Sequence, residues 1–154
     1  MTGFADLYAQ LPQFRADYAP PWGLPTPADF QRIHTTSRLC YPAAFIEFQT
    51  AWARRLPVFA QEFRWANPGL EPYASLDSLI EDAQALGLAG FAPFADDNGD
   101  LIGFLTDHPQ RAMDAPVARY ELAYGTFDVE AGSFIDWLRG HYLEHARMIG
   151  RGEG

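Results

Sequence analysis

Asn98-Gly99 stands between two apolar runs, 88–95 and 101–106, and it is the strongest single constraint on what this chain folds into. A two-residue hairpin loop that matches the natural twist of strands needs positive φ at both central residues, and Asn followed by Gly tolerates this best. The segment predicts an antiparallel hairpin with its tip at 98–99. The same stretch, Asp96-Asp97-Asn98-Gly99-Asp100 with Asp107 twelfth in line, also resembles a calcium loop in its first, third and fifth positions. Leu101 occupies the sixth position, where such a loop requires Gly for its sharp turn, so the hairpin is the preferred reading. Pro93 has no N–H to give a ladder and suits a sheet edge or strand end.

Other elements follow from spacing. Val117 to Leu122 reads as a third strand, and Tyr124 to Val129 adds a fourth around Gly125. Ser75 is a good N-cap, with Leu76, Leu79, Ile80, Ala83 and Leu86 on one helical face and Gly87 as the stop. Pro42 fits the first turn of a helix that carries Phe45, Phe48, Ala51 and Trp52 towards Arg55, an aromatic stripe read as core. Ser133 caps a closing helix, with Asp136 three residues on, and Phe134, Trp137, Leu138 and Tyr142 face inward. Upstream, Phe4 to Phe14 and the segment opening at Pro27 predict short helices, and Pro20-Pro21-Trp22-Gly23 an irregular crossing. Residues 56–73 hold three prolines and predict extended or mixed structure. The expected fold is α+β in a single domain, with helices packed around a mixed or largely antiparallel sheet of about four to six strands. The expected division is an irregular, short-helical N-terminal extension packed on the domain over 1–40, the domain itself over 41–149, and a flexible tail over 150–154.

Charge narrows the choice of partners. The chain carries a net charge of −9, and all its basic residues are Arg. That balance argues against direct contact with nucleic acid, which needs a basic footprint, and against anionic membranes. The stretch from Ala74 to Asp136 holds twelve acids against two arginines, Arg111 and Arg119. A solvated face would account for this; so would a negative surface that attracts a basic protein. The single cysteine, Cys40, forms no internal disulfide and no thiolate zinc cluster alone. The first six residues lack the basic and apolar regions of a secretion signal, and a cytoplasmic location is the expectation.

Four patterns invite a catalytic reading. His141-Tyr142-Leu143-Glu144-His145 matches the H-x-x-E-H pattern of one class of zinc peptidases. A third ligand is expected downstream, and only Glu153 in a Gly-rich tail stands there, so a solvated helix face is preferred. The hairpin acids are the second pattern, weighed above as a calcium loop. Cys40 with His34 are residue types for a nucleophile and base, without a local signature. Asp128 and Glu130 lie two apart, on one face of a strand, as scattered acids of the kind that act only when a pocket raises one pKa. No catalytic, cofactor-binding or metal-binding residue is assigned, and the expectation is a protein without catalytic activity.

The order of elements carries a resemblance. A Pro-initiated aromatic helix and a capped helix precede Gly90-Phe91-Ala92-Pro93-Phe94-Ala95-Asp96-Asp97-Asn98-Gly99-Asp100-Leu101. Pro116-Val117-Ala118-Arg119-Tyr120 and Ser133-Phe134-Ile135-Asp136-Trp137-Leu138 follow. From Tyr41 to Tyr142 this resembles the SUKH superfamily, in its Smi/Knr-type branch. The resemblance implies an α+β fold without shared catalytic residues. It also implies an immunity protein that neutralises a cognate bacterial toxin, often a nuclease, by direct binding. The expected partner is a basic toxin domain, and the expected contact residues are Asp96, Asp97, Asp100, Asp107, Asp128 and Glu130. The expected state is a monomer or weak dimer. A regulatory or scaffolding module is the alternative, and a metal-dependent hydrolase through His141 and His145 the less favoured one.

Overall fold

Asn98 and Gly99 take φ of 55° and 96°, the pair of positive values that the hairpin reading requires. They join β1 (Phe91–Asp97) to β2 (Asp100–Leu105) in a computed structural model that describes residues 3–10, 20–55, 63–88, 90–105 and 113–148, with the backbone alone for 145–148. Phe14, Asp107, segment 56–62 and the tail 150–154 lie outside the described residues. Two further strands, β3 (Val117–Glu121) and β4 (Thr126–Ala131), complete an antiparallel sheet in the order β1-β2-β3-β4. Five α-helices accompany it among the described residues: α1 (Gly3–Gln10), α2 (Pro27–Ser37), α3 (Ala43–Glu47), α4 (Leu76–Ala85) and α5 (Phe134–Met148). The class is α+β, as expected.

Pro93 sits on the edge strand, where its missing N–H costs no ladder bond, and the register shifts between Pro93 and Ala95. Gly103 faces that bulge. A Cβ on Gly103 would lie 2.3 Å from the Ala92 carbonyl oxygen and 2.5 Å from the Pro93 Cα, so only glycine admits this approach of backbones. The outer side of β1 is partly covered. Phe63 bridges Ala95, the Arg64 amide donates to the Phe94 carbonyl at 3.0 Å, and the buried Tyr41 hydroxyl donates to the Pro93 carbonyl.

Pro42 precedes α3 as its N-cap rather than opening its first turn. The helix then widens into a π-helical turn, Phe48–Trp52, closed by the Ala53 amide on the Phe48 carbonyl at 2.9 Å. Gln49 in that turn is buried. Its Nε2 donates to the Arg64 carbonyl at 2.7 Å, and its Oε1 accepts from the Ala66 amide at 3.1 Å. A helix side chain thereby satisfies backbone groups of segment 63–67 that have no strand beside them.

Both long sequence-legible helices are capped as read. The Ser75 hydroxyl accepts from the Ser78 amide and the Ser133 hydroxyl from the Asp136 amide, each at 3.1 Å. Leu86 is the exception on the α4 face: it is the C-cap, turned outward and exposed, while Gly87 closes the helix with a φ of 76°. The main core is aromatic and centres on Phe45, whose ring lies 5.1–6.0 Å from those of Tyr41, Phe30, Phe63, Phe94, Phe104 and Phe134. Phe4, Leu7, Phe30 and Ile33 bring α1 and α2 into the same core. A second cluster, Leu79, Ala83, Phe91 and Leu101, seats α4 on the opposite side of the hairpin. Among the described residues no helix is long and apolar enough to cross a membrane.

Candidate functional site

Register decides which acids meet. Ile102, Arg119 and Asp128 stand in line across β2, β3 and β4, while Leu101, Tyr120 and Phe127 form the neighbouring row with side chains on the other face. The Arg119 guanidinium therefore emerges on one face near the hairpin tip. Its NH1 donates to Asp97 at 3.0 Å and to Asp100 at 3.4 Å, and its Nε donates to Glu130 at 2.6 Å. Glu130 reaches it from a register shift between Val117 and Ala118, which frees one residue of β4 from strict alternation. Burial works against the Arg119 charge, but the bonds and charges of Glu130 and Asp97 outweigh it and its pKa is raised.

Asp100 has a second task, accepting the Leu122 amide at 3.0 Å and so tying the β3–β4 turn to the hairpin. Asp128 pairs with Glu121. The hydrogen bond between them, some loss of solvent, and the charges of Asp128 and Asp100 hold the Glu121 carboxyl above its ordinary range, against the pull of Arg119. Five carboxylates thus gather around one guanidinium: Asp97, Asp100, Glu121, Asp128 and Glu130.

Four of the six acids singled out in the sequence belong to this group. Asp96 does not. Its carboxylate accepts the Gly99 amide at 2.9 Å and pairs with Arg64 at 3.3 Å, so it braces the turn. Asp107 lies outside the described residues. Sequence spacing missed Glu121 and the part played by Arg119, because both depend on cross-strand register. The apolar side of the surface was equally hidden: Tyr124 is 78% exposed and Val129 is 66% exposed.

The raised Glu121 pKa has a consequence for stability. The folded chain holds that proton more tightly than the unfolded one. The contribution is therefore fully present below the unfolded carboxylate range and is lost as pH rises through the folded value. Asp128→Asn is expected to remove this part of the pH dependence, which thermal unfolding from about pH 4 to pH 7 reads directly. A variant with the parent's profile would show that Asp128 is not what raises the Glu121 carboxyl.

The other catalytic patterns look different in three dimensions. His141 does not lie on a solvated face. Its ring stacks on Trp137 at 5.5 Å and 9°, with Nε2 buried. Among the described residues no group of three His, Cys, Asp or Glu side chains is placed to hold a metal ion. Cys40 and His34 do come together, with Sγ 3.4 Å from Nδ1, beside a cavity of about 260 Å³ lined also by Phe30, Leu39, Tyr41 and Ile46. The same Nδ1 lies 3.2 Å from the Leu39 carbonyl, so the tautomer decides which contact it serves: protonated it donates to that carbonyl, unprotonated it can accept from the thiol. Neither a family model nor a curated protein matches the chain.

Proposed function

We propose that this chain is a non-catalytic protein-binding domain that receives a basic partner on the carboxylate face at the hairpin end. The resemblance of the sequence to the SUKH superfamily makes a toxin, foremost a nuclease, the expected partner, and neutralisation the expected outcome. One observation carries the reading: Asp97, Asp100 and Glu130 come from three different strands and are held in place by one guanidinium. Charges fixed on a sheet lose little freedom on binding, so their attraction for a basic surface is less offset by ordering. A nuclease site is basic because it must hold phosphate, and an array of positioned carboxylates occupies the same kind of surface.

The test is binding to the toxin domain encoded beside the gene, with inhibition of its activity read in parallel. The combined variant Asp97→Asn, Asp100→Asn and Glu130→Gln keeps the hydrogen-bond acceptors and removes the charges. It is expected to weaken binding about 100-fold, with much of the loss in association rate and in salt dependence. Unchanged affinity in the combined variant would sink this surface as the contact.

A further inference from the structure

We infer that the partner docks as an added β-strand along the outer edge of β4, as an extended segment in which basic and apolar side chains alternate. This deepens the reading above and rests on it. The two edges of the sheet differ. β1 carries Pro93, a bulge, the Phe63 bridge and the hydrogen bonds from Tyr41 and Arg64. β4 ends the strand order and pairs only with β3 among the described residues, and every residue from Thr126 to Glu130 is exposed. An edge of this kind offers a row of backbone donors and acceptors to another chain.

The side chains along β4 state what that chain must be. On one face Asp128 lies in the row of Arg119, and Glu130 joins it through Arg119. On the other, Phe127 packs against Tyr120 and Phe91 with ring centroids 5.0 and 5.1 Å away, and Val129 stands beside it on the same face. A strand laid against this edge places alternate residues over the carboxylates and over the apolar row. The first set must be basic and the second apolar. A second copy of this chain fails the requirement, since β4 against β4 sets Asp128 and Glu130 among their own kind. The edge spans six residues, which a bound segment of about eight residues covers with its ends free.

The experiment uses the whole chain labelled for NMR and an eight-residue peptide alternating arginine and valine. A second peptide has the same sequence with its four central amides N-methylated, which keeps every charge and removes the donors. Unmodified peptide, up to about millimolar, is expected to bind and to slow hydrogen exchange at β4 amides. N-methylation is expected to weaken binding about tenfold or more, because the two edge hydrogen bonds donated by alternate central amides are lost. The combined Asp97, Asp100 and Glu130 variant is expected to weaken the unmodified peptide as well.

Equal binding of both peptides, lost in the combined variant, overturns strand addition and leaves the carboxylate surface standing. Methylation-sensitive binding that ignores the combined variant overturns the carboxylate surface, and with it the basic occupant. Absence of binding by either peptide overturns both. Slowed β4 exchange in the protein alone, growing with its concentration, identifies a second copy as the occupant and overturns the proposal.

Discussion

Phe45→Ala is expected to destabilise the fold by about 3–5 kcal/mol, a loss typical of an aromatic ring removed from a packed core. A domain of this kind is stable by about 5–15 kcal/mol, so the loss removes a large share of the total. Phe45 earns this rank by position. Its ring is fully buried and touches rings from α2, from the segment before α3, from segment 63–67, from β1, from β2 and from α5. Those neighbours belong to separate elements, and the hole left behind cannot close without moving several of them. Urea unfolding should show a lower midpoint with an unchanged slope. Phe45→Leu should recover part of the difference. A Phe45→Ala loss under about 1 kcal/mol would mean that the core collapses around the gap, contrary to this packing.

Arg119→Met is expected to cost about 1–2 kcal/mol near neutral pH, since it leaves a set of partly solvated carboxylates facing one another without their cation. The methionine keeps much of the buried stem, so the loss reports charge more than packing. The sign of the pH dependence separates the two causes. As pH falls through the carboxylate range the acids take up protons, their repulsion fades, and the variant approaches the parent. High salt should also narrow the gap, by screening what solvent already reaches. Chemical denaturation at two pH values measures both effects, and a deficit that is the same at each would assign the loss to packing instead.

Local signals were the legible ones. Asn98-Gly99 specifies a turn through its own backbone, and Ser75 and Ser133 cap helices through atoms three residues away, so both could be read without knowing the fold. Arg119 could not, because its partners arrive from β1, β2 and β4 and depend on register. Asp96 looked like its neighbour Asp97, yet the turn consumes its carboxylate while Asp97 meets Arg119. Segment 63–67 showed no clear period because single bridges and the Gln49 amide hold it, rather than a strand or helix of its own. The lack of a third metal ligand downstream favours a solvated face for His141, whereas the flat ring of Trp137 gives it a partner that only the folded helix reveals.

The unequal edges of the sheet bear on how copies of this chain can accumulate. Growth of a fibril needs two complementary edges on each molecule, one to join the chain below and one to offer the chain above. Here one edge is sealed by a bridge, a proline and two side-chain or loop hydrogen bonds, while among the described residues no strand pairs with the outer side of the other. Association through the described β4 edge therefore joins two like edges, and it closes at two. Polymerisation through the sheet requires the 63–67 segment to peel away first, which makes that strip, held by the Phe63 and Trp65 bridges and by the Gln49 amide, the guard against runaway assembly.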